Sequence, residues 1–303
     1  MKHWISPLFV ILLGWLPSPH ILATDSIFPL KVVTWNIEWL SSEHDKAIPE
    51  SIRTNDDYTI LKRYFKILSP DVLAFQEVND IDAIRRVVGS GYHIVLSDRA
   101  GEKYQHHQFP DINQYTGFAI KHRLAYDNHD DFPLVSKRNS KLRFASYIVL
   151  APDSSQPVHM LSVHLKAGCS GAQRENYACH QLEQQAQALG EWIAEREEQN
   201  QAYVIAGDFN HKLDYPTDWV WESIRVHGDM HLATMNTPAD CKVRSNKSAY
   251  KTHQFRSLID HIIVSNDLSS SKVRQSVYSV RDVLDHRLSD HCPITATLAP
   301  KSP

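Results

Sequence analysis

The chain lacks a charge excess. Its 303 residues carry a formal net charge of −3 at pH 7 and a pI of about 6.6. No global field draws it onto nucleic acid or an anionic membrane, so any such binding has to come from local patches. It lacks internal repeats and low-complexity tracts, with glycine and proline scattered along its length. It lacks a linker, and a chain of this length with 42% hydrophobic residues reads as one domain over 24–303. It also lacks an apolar run long enough for a comfortable transmembrane helix. The nearest is Leu8 to Leu16, preceded by Lys2 and His3 and followed by Pro17, Pro19 and Ile21-Leu22-Ala23. A basic start, a short apolar core and a small residue at the end describe a secretory signal peptide over 1–23. Ile21 departs from the usual small residue two before the cut, and an uncleaved anchor is the rival reading. The expected mature chain has about 280 residues and is periplasmic or secreted.

Cysteine is scarce: Cys169, Cys179, Cys241 and Cys292 are the four in the chain. An even count in an exported protein suggests two disulfides, and four cysteines allow three pairings. Closing a short loop costs least entropy, which favours Cys169–Cys179 and leaves Cys241–Cys292. A zinc site is the rival, and the close spacing of structural zinc ligands is missing.

Buried strands are expected at 30–40, 71–78, 92–97, 115–121, 143–150, 158–165, 202–206, 258–265 and 291–298. Helices are expected at 57–68, 80–89, 173–197 and, short, from Pro216 to Ile224. Residues 98–114 read as a polar loop and 227–257 as mostly irregular. Several neighbouring strands have no helix between them, which favours mixed sheets with helices outside over a purely parallel wound sheet.

The polar residues sit at strand ends. Asn36 and Glu38 close "TWNIEWL", Glu77 closes "LAFQEV", His164 ends "LSVHL", and Asp208 and Asn210 end "VIAGDFN". Asp260 lies in "LIDHIIVS", and Asp290-His291 opens "LSDHCPI". Turn formation explains any one of these. Acid, amide or imidazole at so many apolar strand ends points instead to a rim where ligands bind. Glu77, Asp208 and Asp290 are hard oxygen donors suited to magnesium or calcium. Asn36 and Asn210 can hold a charged oxygen without repelling it. His164 and His291 can move protons near neutral pH. Carboxylates for a hard metal, two histidines and no Ser or Cys nucleophile indicate water attacking a phosphate.

These blocks, in this order and spanning about Lys31 to Leu298, resemble the endonuclease/exonuclease/phosphatase superfamily, the fold of pancreatic deoxyribonuclease. "HLKAGC" with "CHQLEQQ" is similar to secreted bacterial members. The resemblance implies an α+β fold, a four-layer α/β-sandwich of two packed mixed β-sheets flanked by helices. It places Asn36, Glu77 and Asp290 at a magnesium site, where manganese or calcium could stand in, and Glu38 where some members carry a second acidic contact. It assigns Asp208 and Asn210 to orienting water and holding phosphate, His291 to acting as base oriented by Asp260, and His164 to binding or protonating the phosphate. Whether Asp208 or His291 takes the proton stays open. Arg143 and Asn36 are the expected substrate contacts.

His93, His159, His211, His227 and His261 read as ordinary structural histidines, His261 pointing to the opposite strand face from Asp260. Two basic clusters bear on substrate: Lys137, Arg138, Lys141 and Arg143, and Lys242, Arg244, Lys247, Lys251 and Arg256 with Tyr250 and Phe255. Charge runs are usually solvated faces, but basic side chains beside aromatics suit a polynucleotide backbone. The expected activity is an exported, metal-dependent phosphodiesterase, a nuclease acting on DNA rather than RNA. The runner-up is a sphingomyelinase- or inositol-phosphatase-type hydrolase, with Trp219 and Trp221 as interfacial anchors or plain helix core. A non-catalytic binding module is disfavoured because no expected catalytic type is missing. No obligate protein partner is evident.

Overall fold

The computed structural model describes Met1 and residues 26–137, 139–245 and 247–301. Apart from Met1, the expected signal segment lies outside the described residues, as does Arg138 of the first basic cluster. In chain order the elements are β1 (Leu30–Leu40), α1 (Asn55–Leu68), β2 (Val72–Val78), α2 (Ile81–Val88), β3 (Tyr92–Leu96), β4 (Tyr115–Lys121), β5 (Tyr126–Pro133), β6 (Phe144–Leu150), β7 (Val158–His164) and α3 (Tyr177–Glu198). They continue as β8 (Ala202–Asp208), α4 (Trp219–Arg225), β9 (Met230–Leu232), β10 (Lys242–Ser245), β11 (Ser248–Gln254), β12 (Asp260–Ser265), β13 (Leu268–Gln275), α5 (Val280–Asp285) and β14 (Ile294–Pro300).

Two six-stranded sheets carry the fold, in the orders β13-β14-β1-β2-β4-β3 and β5-β6-β7-β8-β12-β9. Each has one parallel pair at its centre, β1 with β2 and β7 with β8, and antiparallel neighbours outside it. A parallel pair needs a crossover, and α1 and α3 supply it. The inner faces of both sheets share one core, with Val32, Ala74, Phe118, Ile148, Val204 and Ile262 among its members. A second core lies between the first sheet and α1 and α2, and a third between the other sheet and α3 and α4. This is the expected four-layer α/β-sandwich, α+β in class.

The helices follow their sequence signals. α1 buries Tyr58, Leu61, Phe65 and Leu68 and starts in a reciprocal capping box of Thr54 and Asp57, a cap that stabilises by about 1 kcal/mol. Trp219 and Trp221 are half-buried and pack against the third core. No helix among the described residues is long and apolar enough to cross a membrane.

Where the chain departs from expectation, the strands are polar. The stretch 227–257 is irregular over more than half its length, but it also contains β9 and the two-stranded ribbon β10–β11. The 98–114 loop holds two 3₁₀ turns, Asp98–Ala100 and Glu102–His107. Both disulfides form as expected. Cys169–Cys179 closes a 10-residue separation, and Cys241–Cys292 spans 51 with a Cα–Cα distance of 5.7 Å. An isolated hairpin is marginal in water, so Cys241–Cys292 is the ribbon's covalent anchor. Replacing both cysteines by serine should lower stability by about 4 kcal/mol, read by urea denaturation. An unchanged midpoint would show that packing alone holds the ribbon.

Candidate active site

The centre of each sheet delivers its residues to one rim. Regular pairing of β1 with β2 stops at Asn36 opposite Gln76, and three residues of β1 then lie opposite Glu77 before Leu40 meets Val78. This bulge turns Asn36 and Glu77 together. In the other sheet His164 lies opposite Asp208, and Asp208 opposite Asp260. The carboxyl ends of the two parallel pairs thus meet, as ligand-binding rims of open α/β sheets do. Gly207 permits that approach, because a Cβ there would lie 2.0 Å from the Val163 carbonyl oxygen.

The contacts are specific. Asn36 Nδ2 donates to Glu77 Oε1 at 3.1 Å and to Asp208 Oδ2 at 2.9 Å. His164 Nε2 stands 3.5 Å from Asp208 Oδ2 and 3.7 Å from Glu77 Oε1. His291 Nδ1 is 2.7 Å from Asp260 Oδ2, while its Nε2 faces Asp208 Oδ2 at 3.7 Å and Asp290 Oδ1 at 3.8 Å. The Asn210 backbone N–H donates to Asp208 Oδ1 at 2.7 Å, and its amide to the Leu165 carbonyl at 3.2 Å. Arg143 donates to the same carbonyl at 2.9 Å. All the expected site residues therefore gather at this rim. Buried polar atoms without a partner lie here too: His164 Nδ1, Arg143 Nε and Asp260 Oδ1.

Four non-glycine residues of the site hold left-handed backbone: Glu38 (φ 43°), Trp39 (51°), Glu77 (57°) and Asn210 (52°). Each costs on the order of 1–3 kcal/mol, and such strain persists only where the surroundings enforce it. Here Glu38 N–H bonds Asn36 Oδ1, and Trp39 N–H bonds Glu77 Oε2. Buried Arg53 ties the Ile37 and Glu38 carbonyls to that of Leu288. Sequence reasoning missed Arg53, and it missed Ser289 and Tyr278. Ser289 Oγ donates to the Asn36 carbonyl and accepts the His291 N–H. Tyr278 donates to the His291 carbonyl. Ser289 lies within "LSDHCPI" and could have been flagged; nothing local marks Arg53 or Tyr278.

The electrostatics follow from burial. Burial and the Asp290 charge raise the Glu38 carboxyl well above its usual range, against the pull of Arg53. Burial likewise raises Asp208, Asp260 adds to this, and His291 only partly offsets it. Burial and the Arg143 charge hold His164 neutral, so its approaches to Asp208 and Glu77 are not ion pairs. Burial opposes charging of His291, but Asp260, Asp208 and Asp290 outweigh it and raise that imidazole well above its ordinary range.

His211 bridges the Cys169 carbonyl and Asp218, and His261 lies beside Thr234 on the face away from the site. Burial depresses His159 and His261 to about 4. An unfolded chain would protonate both near 6.5, so their contribution to stability is complete above that pH and is lost as pH falls towards 4. Histidine NMR titration should find both rings neutral at pH 5.5; protonation of either there would contradict the assignment.

The model of the Endonuclease/Exonuclease/phosphatase family matches residues 33–291. The chain belongs to that family. No curated protein matches it in sequence. Among solved structures, the endonuclease/exonuclease/phosphatase from Bacteroides vulgatus is 16% identical with a TM-score of 0.64, covering 90% of this chain and 99% of that one. A Bacteroides thetaiotaomicron mannosyl-6-phosphatase is 15% identical with a TM-score of 0.60, covering 89% and 99%. Truncated Caenorhabditis elegans TDP2 is 18% identical with a TM-score of 0.57, covering 89% and 97%. At these identities the likeness carries the fold. Family enzymes are phosphoester hydrolases that typically use divalent metals.

The residues fit such an ion. One ligand atom each from Glu77, His164 and Asp208 lie within 4.8 Å of one another; of the expected metal carboxylates Glu77 belongs to this group and Asp290 does not, and Asn36 joins it through its hydrogen bonds to Glu77 and Asp208. Glu38 and Asp290 add carboxylates at the same rim, and the crowding that raises Glu38 is what a dication relieves. Asp208, Asp260 and His291 form a second such group, within which His291 Nδ1 is bound to Asp260 Oδ2 at 2.7 Å.

Proposed function

We propose that the chain is an exported, magnesium-dependent phosphodiesterase that hydrolyses DNA by attack of water on phosphorus. The observation that supports this most is the convergence of an oriented His291–Asp260 pair on Asp208, beside the Glu77 carboxylate. Glu77, Asn36 and Asp290 would hold the cation, which when bound supplies charge to the phosphate oxygens as negative charge builds there. Asp208 and His291 flank the position of the attacking water, and one of them takes its proton as the P–O bond to the leaving oxygen breaks. Asp260 holds His291 with Nε2 turned towards Asp208. The orphaned Nδ1 leaves the hydrogen of neutral His164 on Nε2, where it can donate to a phosphate oxygen. Asn210 and Arg143 support the phosphate from the same side.

Export is favoured by the N-terminal sequence together with two disulfides. DNA is favoured by the cations beside the site: Lys242, Lys247, Lys251 and Arg256 are exposed, and no acid accompanies them in 241–257. Arg244 does not belong with them as a free phosphate contact. Its guanidinium is occupied by the carbonyls of Val283, Leu284 and His286, where it fixes the ribbon. Neutralising Lys242, Lys247 and Lys251 together should weaken DNA binding and reduce its salt slope by about one unit for each phosphate left without its cation. An unchanged slope would mark them as a solvated edge that discourages strand pairing.

A phosphomonoester reading has one support, the fold likeness to a protein named as a mannosyl-6-phosphatase. Purified mature protein offered supercoiled plasmid, RNA, sphingomyelin, a sugar phosphate and an inositol phosphate, with magnesium and with chelator, separates the readings. Cleavage of plasmid only with the metal is the expected result. Turnover of a monoester or lipid in its place would overturn the nuclease reading.

A further inference from the structure

Arg53 stands just before α1, with 3% of its surface exposed. Its terminal nitrogens donate to five carbonyls. Three of these are consecutive in the β1 bulge: Ile37 at 3.1 Å, Glu38 at 2.6 Å and Trp39 at 3.3 Å. The others are Glu50 at 3.0 Å and Leu288 at 2.7 Å. Left-handed backbone at Glu38 and Trp39 brings the first three to one point. Their negative ends repel there unless a cation with several donors sits among them. The peptide units that begin at Ile37 and Glu38 have a second end. Glu38 N–H donates to Asn36 Oδ1 at 3.0 Å, and Trp39 N–H to Glu77 Oε2 at 3.2 Å. A trans peptide is planar, with its C=O and N–H pointing opposite ways. A guanidinium that fixes the carbonyl therefore aims the N–H, and by polarising the unit it strengthens that donor.

We propose that Arg53 is a positioning residue for the hydrolytic reaction: through these two peptide units it aims the Asn36 and Glu77 side chains, and through Leu288 it holds the loop bearing Asp290 and His291 against them. The inference rests on the metal-assisted reading above, not on DNA as the substrate. The loop has further ties to the same strand. Ser289 Oγ donates to the Asn36 carbonyl at 2.7 Å. Tyr278 accepts from Trp35 Nε1 and donates to the His291 carbonyl. Asn36 and Glu77 come from the first sheet, whereas His291 faces Asp208 and Asp260 of the second. Arg53 thus sits where the two halves of the site must keep one spacing, and it acts on both through the backbone. Outer partners that orient metal-binding side chains are worth about tenfold to a hundredfold in metal affinity or activity.

The test compares Arg53→Lys and Arg53→Gln with wild type. Lysine keeps the charge and most of the volume, but three donors on one nitrogen cannot span the five carbonyls; glutamine keeps a neutral amide alone. In both, calorimetric magnesium affinity should fall by about tenfold or more. With bis(p-nitrophenyl) phosphate at saturating magnesium, kcat should fall by roughly tenfold to a hundredfold while KM stays near its wild-type value. Lysine should retain more of both than glutamine, a partial rescue by the conservative change. Either variant decides the matter if the other fails to fold. Arg85 is the control, because it ties the Gly89 and Tyr92 carbonyls beside the edge strand β3. Arg85→Lys should lower the urea midpoint yet keep wild-type kcat and magnesium affinity. A folded Arg53 variant with a lower midpoint but wild-type kcat or wild-type magnesium affinity would overturn the proposal and leave Arg53 a structural anchor. Wild-type protein that binds magnesium but hydrolyses no phosphoester would instead remove the reading above, and the magnesium affinity of the Arg53 variants would then decide this inference alone.

Discussion

Glu77→Ala should leave a folded protein whose turnover is lower by roughly a thousandfold, about 4 kcal/mol of barrier. The carboxylate stands where its removal takes a charged donor from the metal group and little from the fold. Its bonds are to Asn36 and to the Trp39 N–H, and it lies at the rim rather than in any of the three cores. The left-handed backbone at position 77 (φ 57°) strains alanine much as it strains glutamate, so the substitution neither adds nor relieves that cost. Loss of one negative charge also eases the crowding with Glu38 that burial makes expensive. The expected signature is therefore a melting temperature within a few degrees of wild type, a lost activity, and calorimetric magnesium affinity reduced at least tenfold. Activity that survives in both Glu77→Ala and excess chelator would rule out metal assistance. A cooperative unfolding transition missing from the variant would mean instead that Glu77 holds the bulge together.

Much of the rim was legible because most of the expected site residues interrupt an otherwise apolar strand. Asn36, Glu77, His164, Asp208 and Asp260 stand out against Val, Ile, Leu and Phe, and the strands themselves show in their hydrophobic runs. The missing elements fail that criterion. β5 reads "YDNHDDFP" and exposes most of its length at a sheet edge. Yet it buries Asp131, whose carboxylate accepts from the Asp98 and Tyr147 backbones and from Ser146. The ribbon β10–β11 turns Val243 into the second core and leaves lysine and tyrosine outside, so it has too few apolar positions to show a period of two. Backbone strain at Glu38, Trp39 and Asn210 is invisible in sequence, because it is imposed by partners such as Arg53 that lie elsewhere in the chain. The basic cluster was legible as composition only. The structure divides it into a fixed ribbon anchor, Arg244, and exposed lysines.

Asp260→Asn should separate the two candidate bases. The substitution keeps the size of the side chain, and Asp260 Oδ1 has no partner to lose, so the fold should tolerate it. An amide at that position can offer its N–H to His291 Nδ1 and hold the ring in the wrong tautomer, as in other His–Asp pairs. The plateau activity should then fall by roughly a thousandfold or more. The pH profile carries the finer information. As a base, His291 must be neutral, so activity should rise with pH through its pKa. In the wild type, burial opposes charging of the ring, but the carboxylates of Asp260, Asp208 and Asp290 hold that pKa well above the ordinary histidine range. Removing the nearest carboxylate charge lowers it, and the rising limb should move to lower pH even as the plateau drops. A plateau that falls with its limb unmoved would place the proton on Asp208. His291 would then serve to orient that carboxylate across the 3.7 Å between them, and Asp208→Asn should abolish the limb altogether.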